Sequence, residues 1–164
     1  TRLIAPKIRQ LEWIKHETGK FCIDAVYRDA DIRVAKYITK HHNYIDGVYC
    51  YEDAAIHTFQ SAKKNGIKCI YDLPIGYWRS MRKLLNIEYD KNPDWAITLG
   101  GFNDSDEKLN RKDRELALAD KIYVASSFTK KTLLDYPGKL AEIEVIPYGF
   151  PPINKNRKYM PAWK

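Results

Sequence analysis

The stretch that decides the fold reads Ile67-Lys68-Cys69-Ile70-Tyr71-Asp72-Leu73-Pro74-Ile75-Gly76-Tyr77-Trp78-Arg79. It begins as a short apolar run and breaks abruptly into polar, Pro/Gly and aromatic residues. The first half predicts a buried strand, because apolar and β-branched residues suit a strand that is covered on both faces. The second half predicts a functional loop, because the loops at the carboxyl ends of parallel strands carry the ligand chemistry in α/β sheets.

Three other short apolar runs predict strands around this one, at residues 45–51, 121–125 and 143–146. Segments with helical periodicity separate them, and two further helices are predicted before the first strand, at about 4–15 and 23–42. A strand, a helix and a second strand in one sheet almost always form a right-handed parallel crossover. We therefore predict an α/β fold, a three-layer α/β/α Rossmann-like domain with a mostly parallel sheet.

The helix predicted at 23–42 has the clearest period. Its apolar and aromatic stripe consists of Ile23, Val26, Tyr27, Ala30, Val34, Tyr37, Ile38 and His41. These positions recur at helical spacing and leave one polar face, which predicts an amphipathic helix.

Composition indicates where the domain ends. Residues 1–153 are predicted to form one Rossmann-like domain, and its opening strands are expected upstream because no strong strand precedes residue 45. From Pro151 the composition shifts to Pro, Lys, Arg and Asn with little apolar periodicity, which predicts that residues 154–164 form an interdomain linker or a terminal strap.

The charge of the chain suggests an anionic partner. Its 164 residues carry 28 Lys plus Arg against 21 Asp plus Glu, a net charge of +7. Nucleic acid, an anionic membrane surface and a phosphorylated substrate all fit this excess.

The cations Lys108, Arg111, Lys112 and Arg114 alternate with acidic residues. This pattern predicts a solvated helix face and disfavours nucleic acid as the partner. Asp104 and Glu107 resemble a capping box at the start of the same helix.

Cys22, Cys50 and Cys69 lie in apolar runs without CxxC spacing, which predicts reduced core thiols in a cytosolic protein. The four histidines show no spacing typical of a metal site; they are His16, His41, His42 and His57. The sequence contains no GxGxxG, no Walker loop and no Ser-centred elbow. We therefore expect no metal and no bound cofactor. No apolar run is long enough to span a bilayer.

The candidate site follows from the predicted topology. The carboxyl ends of parallel strands lie on one edge of the sheet, so the residues after the strands should line a common crevice. These residues are Glu52-Asp53, Asp72 to Arg79, Ser126-Ser127 and Tyr148-Gly149. Helix caps are the alternative for Asp53 and for Ser126-Ser127, and a simple turn is the alternative for residues 72–74. Residues 76–79 combine a flexible backbone, two aromatic surfaces and a cation, a set that suits sugars and phosphates.

The segment 77–85 also suggests a membrane contact. Its apolar side would be Trp78, Met81, Leu84 and Leu85, and its headgroup contacts would be Arg79, Arg82 and Lys83. The alternative is an ordinary helix packed on the sheet. We expect a cytoplasmic protein, with peripheral association at the inner face of the membrane as an additional hypothesis.

Two motifs in the second half carry a family resemblance. Residues 115–128 read Glu-Leu-Ala-Leu-Ala-Asp-Lys-Ile-Tyr-Val-Ala-Ser-Ser-Phe, and residues 143–150 read Ile-Glu-Val-Ile-Pro-Tyr-Gly-Phe. A helix ending in Ala-Asp, a strand ending in Ser, a helix, and a strand closing with Pro-x-Gly resemble the amino-terminal domain of family 4 glycosyltransferases. The resemblance covers roughly residues 44–153.

The resemblance implies one half of a GT-B fold, in which two Rossmann-like domains face each other, and this chain is similar to the acceptor-binding half. Members of the family transfer a sugar from a nucleotide-activated donor with retention of the anomeric configuration, usually without a metal. The interdomain cleft would include Ser126, Ser127, Tyr148 and Gly149. The acceptor side would include Glu52, Asp72, Pro74, Gly76, Tyr77, Trp78 and Arg79.

Within that acceptor side, Tyr77 and Trp78 would stack on sugar faces and Arg79 would hold a phosphate. Asp72 or Glu52 would accept hydrogen bonds from sugar hydroxyls.

The chain also departs from the family pattern. A His commonly follows the strand that corresponds to residues 67–71, whereas this chain continues with Asp72-Leu73-Pro74, so we assign no catalytic residue. Tyr148 and Pro151 stand near places where the family often has Asn and Asp. The chain lacks both the amino-terminal glycine-rich loop and the carboxyl-terminal domain whose paired glutamates bind the donor.

The sequence therefore predicts the acceptor-binding domain, as a fragment, of a retaining glycosyltransferase of polysaccharide biosynthesis. Its co-substrate would be a nucleotide-sugar and its acceptor a glycan or a lipid-linked molecule. Without the donor-binding domain the chain is expected to be inactive. The alternative is a non-enzymatic basic α/β module that binds nucleic acid or an anionic membrane surface.

Overall fold

A four-stranded sheet forms the centre of the fold in the computed structural model, which describes residues 11–98 and 102–149. Its strands are β1 (Gly47–Tyr51), β2 (Lys68–Leu73), β3 (Lys121–Val124) and β4 (Glu142–Val145). They are ordered β1-β2-β3-β4, and each neighbouring pair is parallel. The predicted Rossmann-like α/β class with a mostly parallel sheet is confirmed.

Helices connect and flank these strands. They are α1 (Ile23–His41), α2 (Ile56–Lys64), α3 (Trp78–Lys91), α4 (Asp106–Leu118) and α5 (Ser127–Thr132). Of the helix predicted at 4–15, residues 11–14 form a 3₁₀-helix and residues 4–10 lie outside the described residues. The predicted linker at 154–164 also lies outside them.

The strand order places the connecting helices on one face of the sheet. Parallel crossovers are right-handed in nearly all proteins, so strands added one after another in one direction carry their helices on the same side. The core agrees with this rule. Tyr71 and Leu73 of β2 and Ile122 of β3 form one buried cluster with Phe59 of α2 and Leu116 of α4.

The opposite face of the sheet is more open. Tyr49 and Tyr51, which alternate with the core positions of β1, are 51% and 53% exposed. The register places Ile70 and Asp72 of β2 beside them, followed by Tyr123 of β3. Parallel sheets are normally covered on both faces, whereas this tyrosine-rich face is partly exposed.

Helix α1 turns a different side toward the fold than its apolar stripe predicts. Its buried residues are Asp24, Asp31 and Ile38, whereas Val34 and Tyr37 of the stripe are 45% and 59% exposed. The two aspartates explain this orientation, because one binds backbone groups of α2 and the other binds a lysine of α4.

Asp31 supplies the cap that starts α2. Its carboxylate accepts hydrogen bonds of 2.8 Å from the backbone N–H groups of His57 and Thr58. The prediction that Asp53 caps this helix is wrong, because Ala55 occupies the N-cap position and Asp53 adopts a left-handed conformation with φ of 73°. A carboxylate from a neighbouring helix therefore does what the local sequence suggested for Asp53.

The other two predicted caps differ in outcome. Ser105, one residue after the predicted Asp104, caps α4 by accepting a hydrogen bond of 3.2 Å from the backbone N–H of Lys108. The capping box at Asp104 is therefore wrong by one residue. Ser126 caps α5, as predicted for this pair of serines, by accepting a hydrogen bond of 3.0 Å from the Thr129 N–H.

All three cysteines are free, as predicted. Burial raises the pKa of Cys50 to about 12 and that of Cys69 to about 11, so both stay protonated at neutral pH. Within the two described ranges, no helix combines the length and the apolar character that crossing a bilayer requires.

Candidate functional site

A cleft of about 270 Å³ opens on the exposed face of the sheet at the carboxyl ends of the strands. It is lined by Tyr49, Tyr51, Asp72, Tyr123, Val124, Ala125, Ile146, Pro147, Tyr148 and Gly149. Each strand contributes either a side chain or the loop that follows it. The cleft therefore lies at the edge where parallel α/β sheets bind their ligands.

Asp72 forms the polar floor of the cleft. Its side chain lies near the carboxyl end of β2 and is only 7% exposed. The Tyr49 hydroxyl donates a short hydrogen bond to its carboxylate. Burial and this bond to Asp72 raise the pKa of Tyr49 above its ordinary value, so the phenol stays protonated and keeps donating.

Aromatic rings form the walls. The Tyr49 ring meets that of Tyr51 edge to face at a centroid distance of 5.8 Å, and it lies 6.3 Å from the tilted ring of Tyr123. Tyr148, which is 63% exposed, extends the aromatic surface beyond the end of the sheet. This cluster offers flat apolar faces beside one buried carboxylate and the hydroxyls of the tyrosines.

The residues predicted for the interdomain cleft separate into two pairs. Tyr148 and Gly149 line the tyrosine cleft together with Asp72. The hydroxyl of Ser126 instead caps α5, and Ser127 is exposed at the start of that helix. Neither serine belongs to the lining of the cleft.

The predicted loop at 74–79 packs inward against α4. The Tyr77 hydroxyl and Trp78 Nε1 donate hydrogen bonds of 2.8 Å and 2.7 Å to Asp113 Oδ1. Arg79 Nη2 donates to Asp113 Oδ2 at 2.7 Å, and its guanidinium lies 4.1 Å from the centre of the Trp78 ring. A single carboxylate on α4 thus binds three consecutive side chains of the predicted acceptor loop.

These contacts change the roles that the loop can play. Tyr77 is fully buried in the core, so its ring has no face open to a sugar. Arg79 is neutralised by Asp113, and this bond raises the pKa of the guanidinium further. Gly76 is buried, and a methyl group there would come within 2.4 Å of Met81 Sδ. Pro74 is half-buried, and the loop serves packing between β2, α4 and α5.

Glu52 lies on the other side of the sheet from the tyrosine cleft. It is buried beneath α4, where Lys112 Nζ lies 3.4 Å from its Oε2 atom. Burial raises the pKa of Glu52 despite the nearby ammonium group. Glu52 and Asp72, which the sequence placed on one crevice, are therefore separated by the sheet itself.

The cations of α4 are not the solvated face that their spacing predicts. Lys112 is 6% exposed, and its Nζ lies 3.1 Å from Asp104 Oδ2. Lys108 Nζ lies 2.8 Å from Asp24 Oδ1, and Arg111 Nη2 lies 3.2 Å from Asp53 Oδ1. These cations hold together α1, the loop after β1 and the start of α4. Of the cations predicted for that face, Arg114 is the exposed one.

One group of side chains has ligand atoms suited to a metal. His16, Glu17 and Asp104 offer atoms that all lie within 4.8 Å of one another. Lys108 and Lys112 already occupy both oxygens of Asp104, and their bonds lower its pKa to about 2 although burial opposes this. Two ammonium groups at the ligand atoms repel a divalent cation, so the group fits an ion-pair network better than a metal site.

The cations proposed for membrane headgroups are also engaged. Besides the bond from Arg79 to Asp113, Lys83 Nζ lies 2.7 Å from Asp135 Oδ1. Arg82 Nη2 donates a hydrogen bond of 3.0 Å to the backbone carbonyl of Asp104. The membrane contact of α3 remains a prediction, although each of its three cations already contacts another residue of the protein, Lys83 through an exposed ion pair.

Three tyrosines of the cleft, Tyr49, Tyr51 and Tyr123, were not predicted from the sequence, although a signal was present for those of β1. Tyr49 and Tyr51 alternate with Val48 and Cys50, so they had to lie on the opposite face of β1. Asp113 has no comparable signal, because its contacts join residues 34 to 36 positions apart.

Comparison of the chain with protein-family models, with curated proteins and with solved structures finds no match.

Proposed function

We propose that this chain is the acceptor-binding domain of a retaining glycosyltransferase that uses a nucleotide-sugar donor. The observation that supports it is the tyrosine cleft at the carboxyl edge of the parallel sheet, with Asp72 as its polar floor. Ligands of open parallel α/β sheets bind at this edge. The Pro-x-Gly motif of the family resemblance, at Tyr148 and its neighbours, lines the same cleft.

The chemistry of the cleft suits a sugar. The C–H faces of a pyranose pack on aromatic rings, and Tyr51, Tyr123 and Tyr148 present such rings. The lining contains no Lys or Arg, although Lys121 Nζ lies 5.7 Å from the centre of the Tyr123 ring. The Asp72 carboxylate accepts hydrogen bonds from sugar hydroxyls, and the Tyr49 hydroxyl orients that carboxylate. The volume of about 270 Å³ suits one or two sugar units rather than a long chain.

In this proposal the predicted acceptor loop at 74–79 does not contact the sugar but packs against α4. Tyr77, Trp78 and Arg79 are bound to Asp113, so acceptor recognition passes to the tyrosines and Asp72. A glycan or lipid-linked acceptor would enter through the open face of the sheet. The donor diphosphate would be held by a second domain, and no cofactor or metal is proposed for this chain.

Carbohydrate titration tests the proposal. Isothermal titration of residues 1–164 with a panel of neutral oligosaccharides should detect binding. Tyr51→Ala and Asp72→Asn should each weaken it about tenfold, since each removes one aromatic face or one charged acceptor. Tyr44→Ala is the matched control, because Tyr44 is exposed and lies outside the cleft. If no oligosaccharide binds, or if the Tyr44 variant loses binding equally, the acceptor role is wrong.

Two further measurements separate the alternatives. Purified residues 1–164 should give no turnover of nucleotide-sugars, so turnover by the chain alone would contradict the need for a second domain. For the nucleic-acid alternative, a titration at several salt concentrations is decisive, since binding through many phosphates weakens steeply with salt. We expect no such salt-dependent binding.

A further inference from the structure

A second groove, distinct from the tyrosine cleft, lies among α1, α2 and α4. Its volume is about 300 Å³. The charged and polar side chains of its lining are Arg28, His57, Gln60, Glu107, Asn110, Arg111 and Arg114. Three guanidinium groups therefore line the groove beside one carboxylate, that of Glu107. Because Arg111 pairs with Asp53, the guanidinium groups without an ion-pair partner among the described residues are those of Arg28 and Arg114. The groove could not be predicted from the sequence, because its residues come from three separate helices.

The arginines of the groove keep unused donors. Arg28 Nη2 donates to the backbone carbonyl of Glu17 at 3.0 Å, a contact that leaves its charge unpaired. Arg111 pairs with Asp53 through Nη2, and its Nε is buried without a hydrogen-bond partner, so that atom is not exposed to the groove. Arg114 is exposed and makes no ion pair with any residue of the described ranges. Lys108, Arg111 and Lys112 of α4 pair with carboxylates, whereas Arg28 and Arg114 make no ion pair within the described ranges and retain N–H groups for a ligand.

The backbone of α2 does not supply the anion site. The N–H groups of His57 and Thr58, at the start of α2, already donate to Asp31. Recognition in the groove must therefore come from the guanidinium groups. Their planar forks bind phosphate and carboxylate oxygens in pairs.

The charge of the groove favours phosphate over a carboxylate. A phosphate monoester carries about −1.5 to −2 charges at neutral pH, which is close to the combined charge of Arg28 and Arg114, the two arginines of the groove without an ion-pair partner among the described residues. A single carboxylate would leave one guanidinium unmatched. The volume leaves room for a diphosphate or for a phosphate with an attached organic group.

We propose that this groove binds a phosphate-bearing ligand through Arg28, Arg111 and Arg114. The ligand is either a soluble phosphate compound or the headgroup of a phospholipid. The site lies on the helical layer, away from the open face of the sheet. It stands independently of the proposed acceptor function.

Two parallel binding measurements on residues 1–164 test this site. Isothermal titration with pyrophosphate reports a soluble ligand. Sedimentation with vesicles of phosphatidic acid in phosphatidylcholine, against vesicles of phosphatidylcholine alone, reports a lipid headgroup. Arg28→Gln and Arg114→Gln should each weaken the binding that is detected by about tenfold, the loss typical of one charge-assisted hydrogen bond. Arg33→Gln is the matched control, because Arg33 is an exposed arginine of α1 outside the groove, and it should change binding less than about twofold.

Each outcome decides the proposal. Binding of pyrophosphate or of phosphatidic acid vesicles that both groove variants weaken supports it and identifies the source of the phosphate. Absence of binding in both measurements overturns it, as does binding that the Arg33 variant weakens as much as the groove variants. Circular dichroism and thermal unfolding verify that the variants are folded. Oligosaccharide titration of Arg114→Gln should be unchanged, so this test and that of the acceptor function fail separately.

Discussion

The carboxylate of Glu115, on α4, accepts a hydrogen bond of 2.9 Å from the backbone N–H of Asp53, in the loop after β1. It also accepts one of 3.2 Å from the N–H of Ala55 and one of 3.2 Å from the Tyr71 hydroxyl. Glu115 is fully buried, and burial raises its pKa to about 7. An ionisable side chain therefore holds the left-handed turn at Asp53 that leads from the sheet into α2.

This raised pKa predicts how stability changes with pH. Between about pH 4.5 and 7 the folded state keeps a proton on Glu115 that the unfolded state has released. The free energy of unfolding should therefore fall as pH rises through this window, by up to about 3 kcal/mol from this group. Urea unfolding at pH 5 and pH 8 measures the difference.

Glu115→Gln is the control for this window, because an amide does not titrate, and its unfolding free energy should change less between the two pH values. Glu52, whose pKa is also raised by burial, contributes in the same direction. Asp104 affects stability in a separate pH window. Its pKa is lowered to about 2, so its contribution to the free energy of unfolding is lost only in acid. An equal pH dependence in wild type and Glu115→Gln would show that another group is responsible.

The cap from Asp31 should be essential for α2. Asp31→Ala leaves the buried N–H of Thr58 and that of His57 without their acceptor. We expect a loss of about 2–3 kcal/mol in the free energy of unfolding, measured by urea titration. Asp29→Ala, on the same helix, removes only an exposed ion pair with Arg33 and should cost less than about 0.5 kcal/mol. Similar losses in the two variants would contradict the cap.

Gly66 tests a backbone requirement. Its φ is +70°, and a methyl group there would meet no atom within 4 Å. Gly66→Ala should therefore cost about 1 kcal/mol through the left-handed conformation alone. Gly47→Ala is the matched control, since Gly47 has no positive φ and its nearest neighbour would be 3.7 Å away. Thermal unfolding of both variants compares them, and a neutral Gly66→Ala would exclude strain at this turn.

Asp113 should anchor the loop that follows β2. Asp113→Ala removes the acceptor of Tyr77, Trp78 and Arg79 at once. We expect a loss of about 2–4 kcal/mol in unfolding free energy and a changed fluorescence emission of Trp78, because its indole loses a buried partner. Asp90→Ala, at an exposed position of α3, should leave both properties nearly unchanged. Unaltered stability of Asp113→Ala would mean that packing alone holds the loop.

Much of the fold could be predicted because its signals are local. The apolar run at 67–71 predicted β2, and the helical periodicity between the strands predicted at 45–51 and 67–71 predicted α2. The carboxyl-edge position of the cleft followed from parallel topology, and Asp72, Tyr148 and Gly149 do line it. Hydrophobic periodicity and backbone preferences depend on near neighbours in the chain, so they can be recognised without a structure.

The partners of the polar residues could not be predicted in this way. Nothing near Glu52 or Arg79 in the chain indicates that Lys112 and Asp113 neutralise them. The cap of α2 likewise comes from Asp31, on another helix, and the local candidate Asp53 instead pairs with cations of α4. A buried polar group pairs with whichever partner the packing brings near, because a polar group that has lost its water and finds no partner costs free energy.

The sequence by itself determined the α/β class, the parallel sheet and the edge at which a site would lie, because strand and helix periodicity and the handedness of crossovers are properties of short segments. Only the tertiary structure decided that Asp72 faces the tyrosine cleft while Glu52, Tyr77 and Arg79 are bound within the protein. The reason is that the face of a strand, and the helix packed against it, assign each side chain either to solvent or to a buried partner.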